Sequence, residues 1–304
     1  MERSWAIKLD AVTRLYGANK VVSDISFTVN KGAIHGFLGP NGAGKTTTMK
    51  MIAGVIPPSS GSVEVSSHNI GVLLENPPLF DEMIVEDYLF YICRIHKISK
   101  NNISKYVAEA IEKLELQSVS RRLIGNLSKG YRQRVGVAQA IVFKPEIVIL
   151  DEPTVGLDPA SVTQMRSCIK EIAKDHTVLV SSHLLHEMEI LCSDITIIQK
   201  GCIIASGTVD EVKKLAVGDQ VLKIEISKDG NLSKILNEIE IIVSVELSQQ
   251  TAHSNEYTIH AKSGVEVRPL IYEKIKNSNV QLYHFEQIDL DLETAFLDLL
   301  GREK

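Results

Sequence analysis

Apolar and polar residues alternate early in the chain. Ile7 to Thr13 and Ile25 to Val29 both read as strands; in the second, Ile25, Phe27 and Val29 are separated by Ser26 and Thr28. A period of two places alternate side chains on one sheet face, so these strands are predicted to be half buried. The texture then changes. Ile34 to Leu38 and Ile70 to Leu74 are short apolar strands, and Ser62 to Val65 is another short strand. Ile147 to Leu150 is a continuous apolar run, the mark of a parallel strand buried on both faces. Thr177 to Val180 is a further strand. Thr46 to Ala53 carries Met49, Ile52 and Ala53 at helical spacing.

From Val85 to about Leu116 the period is helical, through Val85, Leu89 and Ile92 and then Val107, Ile111 and Leu114. Ser128 is a good N-cap for a following helix with Val135, Ala138 and Ile141. Together these predict a helical insertion at about 76–142. Ile195 to Ile198 and Ile203-Ile204 are expected to form a hairpin around Lys200-Gly201. Thr208 to Glu211 has the pattern of a capping box.

After Gly218 the alternation returns. Val221 to Ile226 reads as a strand, Leu232 to Ile239 as a helix, Ile241 to Leu247 and Glu256 to Ala261 as strands, Val267 to Ile275 as a helix and Val280 to Phe285 as a strand. That order is β-α-β-β-α-β, the ferredoxin-like arrangement. A last helix is predicted at Leu292 to Leu300. The expected division is therefore 1–217 and 218–304, an α/β core followed by a small accessory α/β domain for docking or dimer support.

Bulk properties narrow the partners. A net charge of -5 argues against general electrostatic attachment to nucleic acid or anionic lipid. No uncharged apolar stretch reaches the roughly 18 residues that cross a bilayer. The first residues lack the apolar core of a secretory leader. Cys93, Cys168, Cys192 and Cys202 form no C-x-x-C pair and are expected to be small buried hydrophobes in a reduced compartment.

The chemistry gathers where strands end. Gly39-Pro40-Asn41-Gly42-Ala43-Gly44-Lys45-Thr46 lies between a strand and a helix, and Thr47 follows. Its glycines let backbone amides converge on a phosphate, Lys45 can reach the β- and γ-phosphates, and the Thr46 hydroxyl can ligate magnesium. Asp151 and Glu152 end an apolar strand, as a metal-organising acid and a base for the attacking water require. Glu75 closes another strand; it can face the metal, though a solvated loop carboxylate is the commoner case for such an acid. His183, at a strand edge, can bond a γ-phosphate oxygen and hold the water and Glu152 in line. His183 and His186 share a helix face, but H-L-L-H-E is not the order of zinc proteases. Tyr16 can stack on a purine or pack in the sheet; spacing leaves both open.

Taken together, these residues resemble the nucleotide-binding subunit of an ABC transporter over roughly residues 5 to 210. The resemblance implies a P-loop NTPase core that binds ATP with Mg2+, with Tyr16 stacking on adenine. It implies that Leu127 to Gln133 is the signature sequence, Gly156 to Asp158 the dimer-contact loop, Glu152 the catalytic base and His183 the switch histidine. Two copies, or two paired ATPases, are then expected to dimerise head to tail, each ATP lying between one phosphate loop and the partner's Ser128 and Gly130. A separate integral-membrane permease would supply the spans, placing this chain on the cytoplasmic face of the membrane, with no nucleic acid as partner.

The sequence departs from the commoner family pattern at Glu75, where glutamine is usual, and at Lys129 and Tyr131 in the signature. Glu75 is similar to ABC proteins of bacteriocin self-immunity and bacitracin-type resistance. That implies export of a peptide antibiotic or drug-like amphiphile. A soluble ABC-type ATPase acting on ribosomes or nucleic acid is the alternative, against which stand the single phosphate loop and the absence of sustained heptads between it and the signature. An importer ATPase would use the same chemistry.

Overall fold

Short apolar runs meet side by side, and the loops that follow them share one edge. The computed structural model describes residues 4–75, 77–216, 219–262 and 266–288. These divide into two compact units, Met1–Val209 and Asp210–Lys304. The division precedes the change of texture at Gly218, because α7 (Val209–Ala216) begins at its boundary.

In the first unit, β1 (Trp5–Tyr16) and β2 (Asn19–Asn30) form a hairpin longer than the alternation alone predicts, closing with Tyr16 opposite Asn19. β3 (Ile34–Leu38) leads through the Gly-rich loop into α1 (Lys45–Ile52). β4 (Ser60–Val65) and β5 (Ile70–Leu73) follow, then helices α2 (Val85–Ile95), α3 (Lys100–Lys113) and α4 (Lys129–Ile141). The remaining elements of the unit are β6 (Ile147–Leu150), α5 (Pro159–Ile172), β7 (Thr177–Ser182), α6 (Leu185–Leu191), β8 (Asp194–Gln199) and β9 (Cys202–Thr208).

Among the described residues, β2-β1-β4 form one antiparallel sheet and β5-β6-β7-β3-β8-β9 a second. The first five strands of the second sheet run parallel and β9 returns antiparallel. Its hairpin turns at Lys200 (φ 46°) and Gly201 (φ 81°), the two positive φ values of a type I′ turn. Register aligns the strand ends: Leu73 lies opposite Leu150, Leu150 opposite Val180, and Leu38 opposite Ser182. The loops after β3, β5, β6 and β7 therefore emerge together, where parallel sheets place ligands.

One core fills the space between the two sheets. Ile7, Leu9, Ile25 and Val29 meet Phe37, Ile149 and Leu179, and α1 adds Met49, Met51 and Ile52. Each such buried side chain contributes about 1.5–3 kcal/mol. Burying the apolar stripe of α1 fixes the helix, and with it the loop that precedes it. Cys93, Cys168 and Cys192 are buried; Cys202 is exposed, contrary to expectation, because it opens β9 at the edge of the sheet directly after the turn.

The second unit is β10 (Asp219–Ser227), α8 (Leu232–Ile235), β11 (Ile242–Gln250), β12 (Ser254–Lys262), α9 (Arg268–Lys276) and β13 (Leu282–Ile288). The antiparallel sheet has the order β11-β12-β10-β13, the ferredoxin-like topology. Leu222, Ile224, Ile226, Tyr257 and Ile259 pack with Leu232, Ile271 and Ile275. The first helix is shorter than Leu232 to Ile239: after Leu236 the chain turns, with Ile239 N donating to Leu236 O at 3.1 Å. The helix predicted at Leu292 to Leu300 lies outside the described residues.

Candidate active site

The loop after β3 is shaped by close approach. A β-carbon on Gly39 would collide with the Ile198 carbonyl, and Gly44 caps α1 at φ 108°. Neither position accepts an ordinary side chain. The backbone so placed leads into α1 beside a cavity of about 280 Å³. Pro40, Asn41, Gly42, Gly44, Lys45, Thr46 and Thr47 line it, joined by Glu75, Glu152 and His183 from the neighbouring strand ends.

Its polar groups form one connected set. The Lys45 ammonium donates to Gly39 O at 2.6 Å and lies 3.1 Å from Glu152 Oε1. That second contact is an ion pair without hydrogen-bond alignment, since Oε1 accepts no hydrogen bond. Glu152 Oε2 faces His183 Nδ1 at 2.9 Å. Thr46 donates its hydroxyl to Asp151 Oδ2 at 2.7 Å, and Ser181 donates to Asp151 Oδ1 at 2.6 Å. The Ser181 oxygen in turn accepts from Glu152 N at 2.9 Å.

Glu152 has φ 49°, an uncommon conformation for a side chain without a local backbone partner. It is held there by Ser181, by Lys45 and by His183, which is the overdetermination that sustains backbone strain at functional sites. Lys45, Asp151 and Glu152 are all buried, so their charges interact in a medium far less screening than water. Thr154 donates to Glu187 Oε2 at 2.7 Å and ties the loop after β6 to α6.

Several residues singled out in the sequence lie elsewhere on the surface. Tyr16 is exposed at the hairpin end beneath the Arg14 guanidinium, 4.8 Å from the ring centroid, and does not line the cavity. Ser128 caps α4 through Tyr131 N, and Asp158 caps α5 through Ala160 N and Ser161 N. Ser128, Gly130 and Asp158 all lie outside this subunit's own cavity. The Ser161 hydroxyl holds Asp158 Oδ2 at 2.6 Å and keeps its carboxyl below the usual range.

Sequence reasoning gave no role to Ser181, Val21 or Val155. The two valines line the cavity, and nothing distinguishes them in sequence from core valines. Ser181 had a signal, a polar residue ending an apolar strand beside His183, but only register shows which carboxylate it meets.

Residues 22–155 match the ABC transporter family model. The bacitracin transport ATP-binding protein BcrA of Bacillus licheniformis is 36% identical, over 77% of this chain and 79% of its own length. The linearmycin resistance ATP-binding protein LnrL of Bacillus subtilis is 29% identical over 97% of this chain and 98% of its own. A bacterial ABC transporter cassette whose structure is dimeric superposes with a TM-score of 0.60 at 22% identity, covering 66% of this chain and 98% of the cassette.

Proposed function

Because the chain belongs to the ABC transporter ATP-binding proteins, ATPases that work with membrane permeases, we propose that it hydrolyses ATP at the cavity just described to drive export of a peptide antibiotic or drug-like amphiphile. The observation that carries the chemistry is Glu152, held between Lys45 and His183 at the mouth of the phosphate loop. Lys45 and the α1 amides bind the polyphosphate. Glu152 takes the proton of the attacking water, and His183 fixes that carboxylate through Nδ1.

Thr46, Asp151 and Glu75 supply oxygen donors of the kind Mg2+ prefers, and the Thr46–Asp151 hydrogen bond already brings two of them together. Bound there, the ion would neutralise charge on the terminal phosphates. Tyr16 is the candidate for stacking on adenine. Ser128, Gly130 and Asp158, which do not line their own cavity, serve the cavity of a second copy in a head-to-tail dimer. The dimeric cassette of the same fold supports that reading.

The export assignment rests on BcrA and LnrL, named for bacitracin transport and linearmycin resistance, and on Glu75. In this reading a separate permease supplies the path, with this chain on its cytoplasmic side; no helix among the described residues is long and apolar enough to cross a membrane. The second unit, Asp210–Lys304, supports docking or pairing. The test is to express the chain in a sensitive bacterium together with the membrane permease that copurifies with it. Tolerance of bacitracin-like peptides should rise with the wild type and not with Glu152→Gln; equal tolerance in both would refute ATP-driven export.

A further inference from the structure

Two side-chain hydrogen bonds cross between the same pair of segments, and one of them lies outside the cavity. His183 stands in the two-residue link between β7 and α6, its Nδ1 2.9 Å from Glu152 Oε2. Two residues past Glu152, the Thr154 hydroxyl donates at 2.7 Å to Oε2 of Glu187, in the first turn of α6. Neither Thr154 nor Glu187 lines the cavity. Thr154 is buried and Glu187 half-buried, so the bond is made where water competes little for it.

Little else fixes the start of α6. Leu184 gives the helix no side-chain cap, and its packing runs through Leu185, Met188 and Leu191. Apolar packing is non-directional: it decides which face is buried more than where the preceding residues point. Leu184 N donates to the Ser182 hydroxyl at 2.9 Å, which shapes the link but ties it to nothing on the β6 side. The His183 side chain is 35% exposed, with no hydrogen-bond partner besides Glu152 among the described residues. A contact that sets where α6 begins therefore also sets where the imidazole stands against the carboxylate.

We infer that Thr154 and Glu187 form a latch between the loop after β6 and α6 that holds His183 in place against Glu152, which makes both of them positioning residues for hydrolysis. The inference rests on the reading of Glu152 as the base given above. With the latch closed, the two segments are joined by parallel connections, one facing the cavity and one behind it. Without it, His183 shifts with the start of α6, and the carboxylate loses its fixed aim at the attacking water. A displacement of about 1 Å is enough to cost about 10²-fold in rate. Nucleotide binding, assigned to Lys45 and the phosphate loop, is untouched.

Single-turnover phosphate release by the full chain tests it, with ATP affinity measured separately. Thr154→Val, close in shape but without the donor, and Glu187→Ala should each slow release by about tenfold or more, with ATP affinity within about threefold of wild type. Thr154→Ser should keep the rate within about threefold of wild type. Because the two residues act as one bond, Thr154→Val/Glu187→Ala should be no more than about threefold slower than either alone. In a His183→Ala background, Thr154→Val should cost less than about threefold, since no imidazole is left to place. No loss in the single variants, the same loss in both backgrounds, or a loss carried by ATP affinity would each overturn the inference, the last two leaving the bond a prop of the fold. Should Thr154→Val fail to fold, Glu187→Ala carries the same comparison from the half-buried side. Glu152→Gln and His183→Ala variants that hydrolyse ATP like wild type would overturn the reading of the site itself, and the inference with it.

Discussion

Lys45 and Glu152 form a buried ion pair, 3.1 Å between Nζ and Oε1, across the mouth of the phosphate loop. The residue proposed to grip phosphate and the residue proposed to activate water thus hold each other. On the proposed mechanism, a γ-phosphate entering the cavity would compete with Glu152 for the Lys45 ammonium and leave the carboxylate for water. On that mechanism, binding and activation would be coupled through this pair.

Glu152→Gln removes the base and its claim on Lys45. Phosphate release should fall by about 10²–10⁴-fold, while ATP affinity holds or tightens and an ATP-loaded dimer accumulates. Phosphate-release kinetics with equilibrium binding check this; wild-type turnover would show that the base lies elsewhere.

His183→Ala leaves Glu152 Oε2 without its 2.9 Å partner. Turnover should drop by about 10²-fold with ATP affinity within about threefold of wild type. Loss of ATP binding instead would move His183 from orienting the base to holding nucleotide.

Ser181→Ala tests a residue whose role only the fold revealed. It strips Asp151 Oδ1 and Glu152 N of their partner in a buried setting, and should cost about 1–3 kcal/mol in denaturant unfolding. The magnesium dependence of hydrolysis should shift to higher concentration. A variant with wild-type stability and metal response would remove Ser181 from the site.

His35 makes stability fall in acid. Burial holds its imidazole down at about 4 against the ordinary 6.5, outweighing the upward pull of Asp194. The folded value lies below the unfolded one, so the unfolded chain binds more protons between these pH values. The stabilisation is fully present above about pH 6.5 and is lost as pH falls toward 4, amounting to about 3 kcal/mol. His96 and His176, lowered by burial, act in the same direction. His35→Gln should flatten the Tm profile over this window, and parallel profiles would contradict the assignment.

The phosphate loop, the Asp151–Glu152 pair and the order of strands and helices were legible in the chain, because each is written in local spacing. A Gly-rich loop between an apolar strand and a helix, or two acids ending an apolar run, needs only neighbours a few residues apart. The second unit was legible for the same reason, in the alternation of Leu222, Ile224 and Ile226. Helix length there was not: the period runs on to Ile239, while the chain leaves the helix after Leu236.

By itself, then, the sequence determined which groups are candidates for gripping phosphate and activating water, since residue type and spacing set that chemistry. Tertiary structure decided which of them meet. Parallel register brings Ser181 to Asp151 and His183 to Glu152, residues about thirty positions apart, and packing turns Ser128, Gly130 and Asp158 away from their own cavity. Such contacts depend on how strands align through backbone hydrogen bonds and how helices bury their apolar faces, and no local pattern records that.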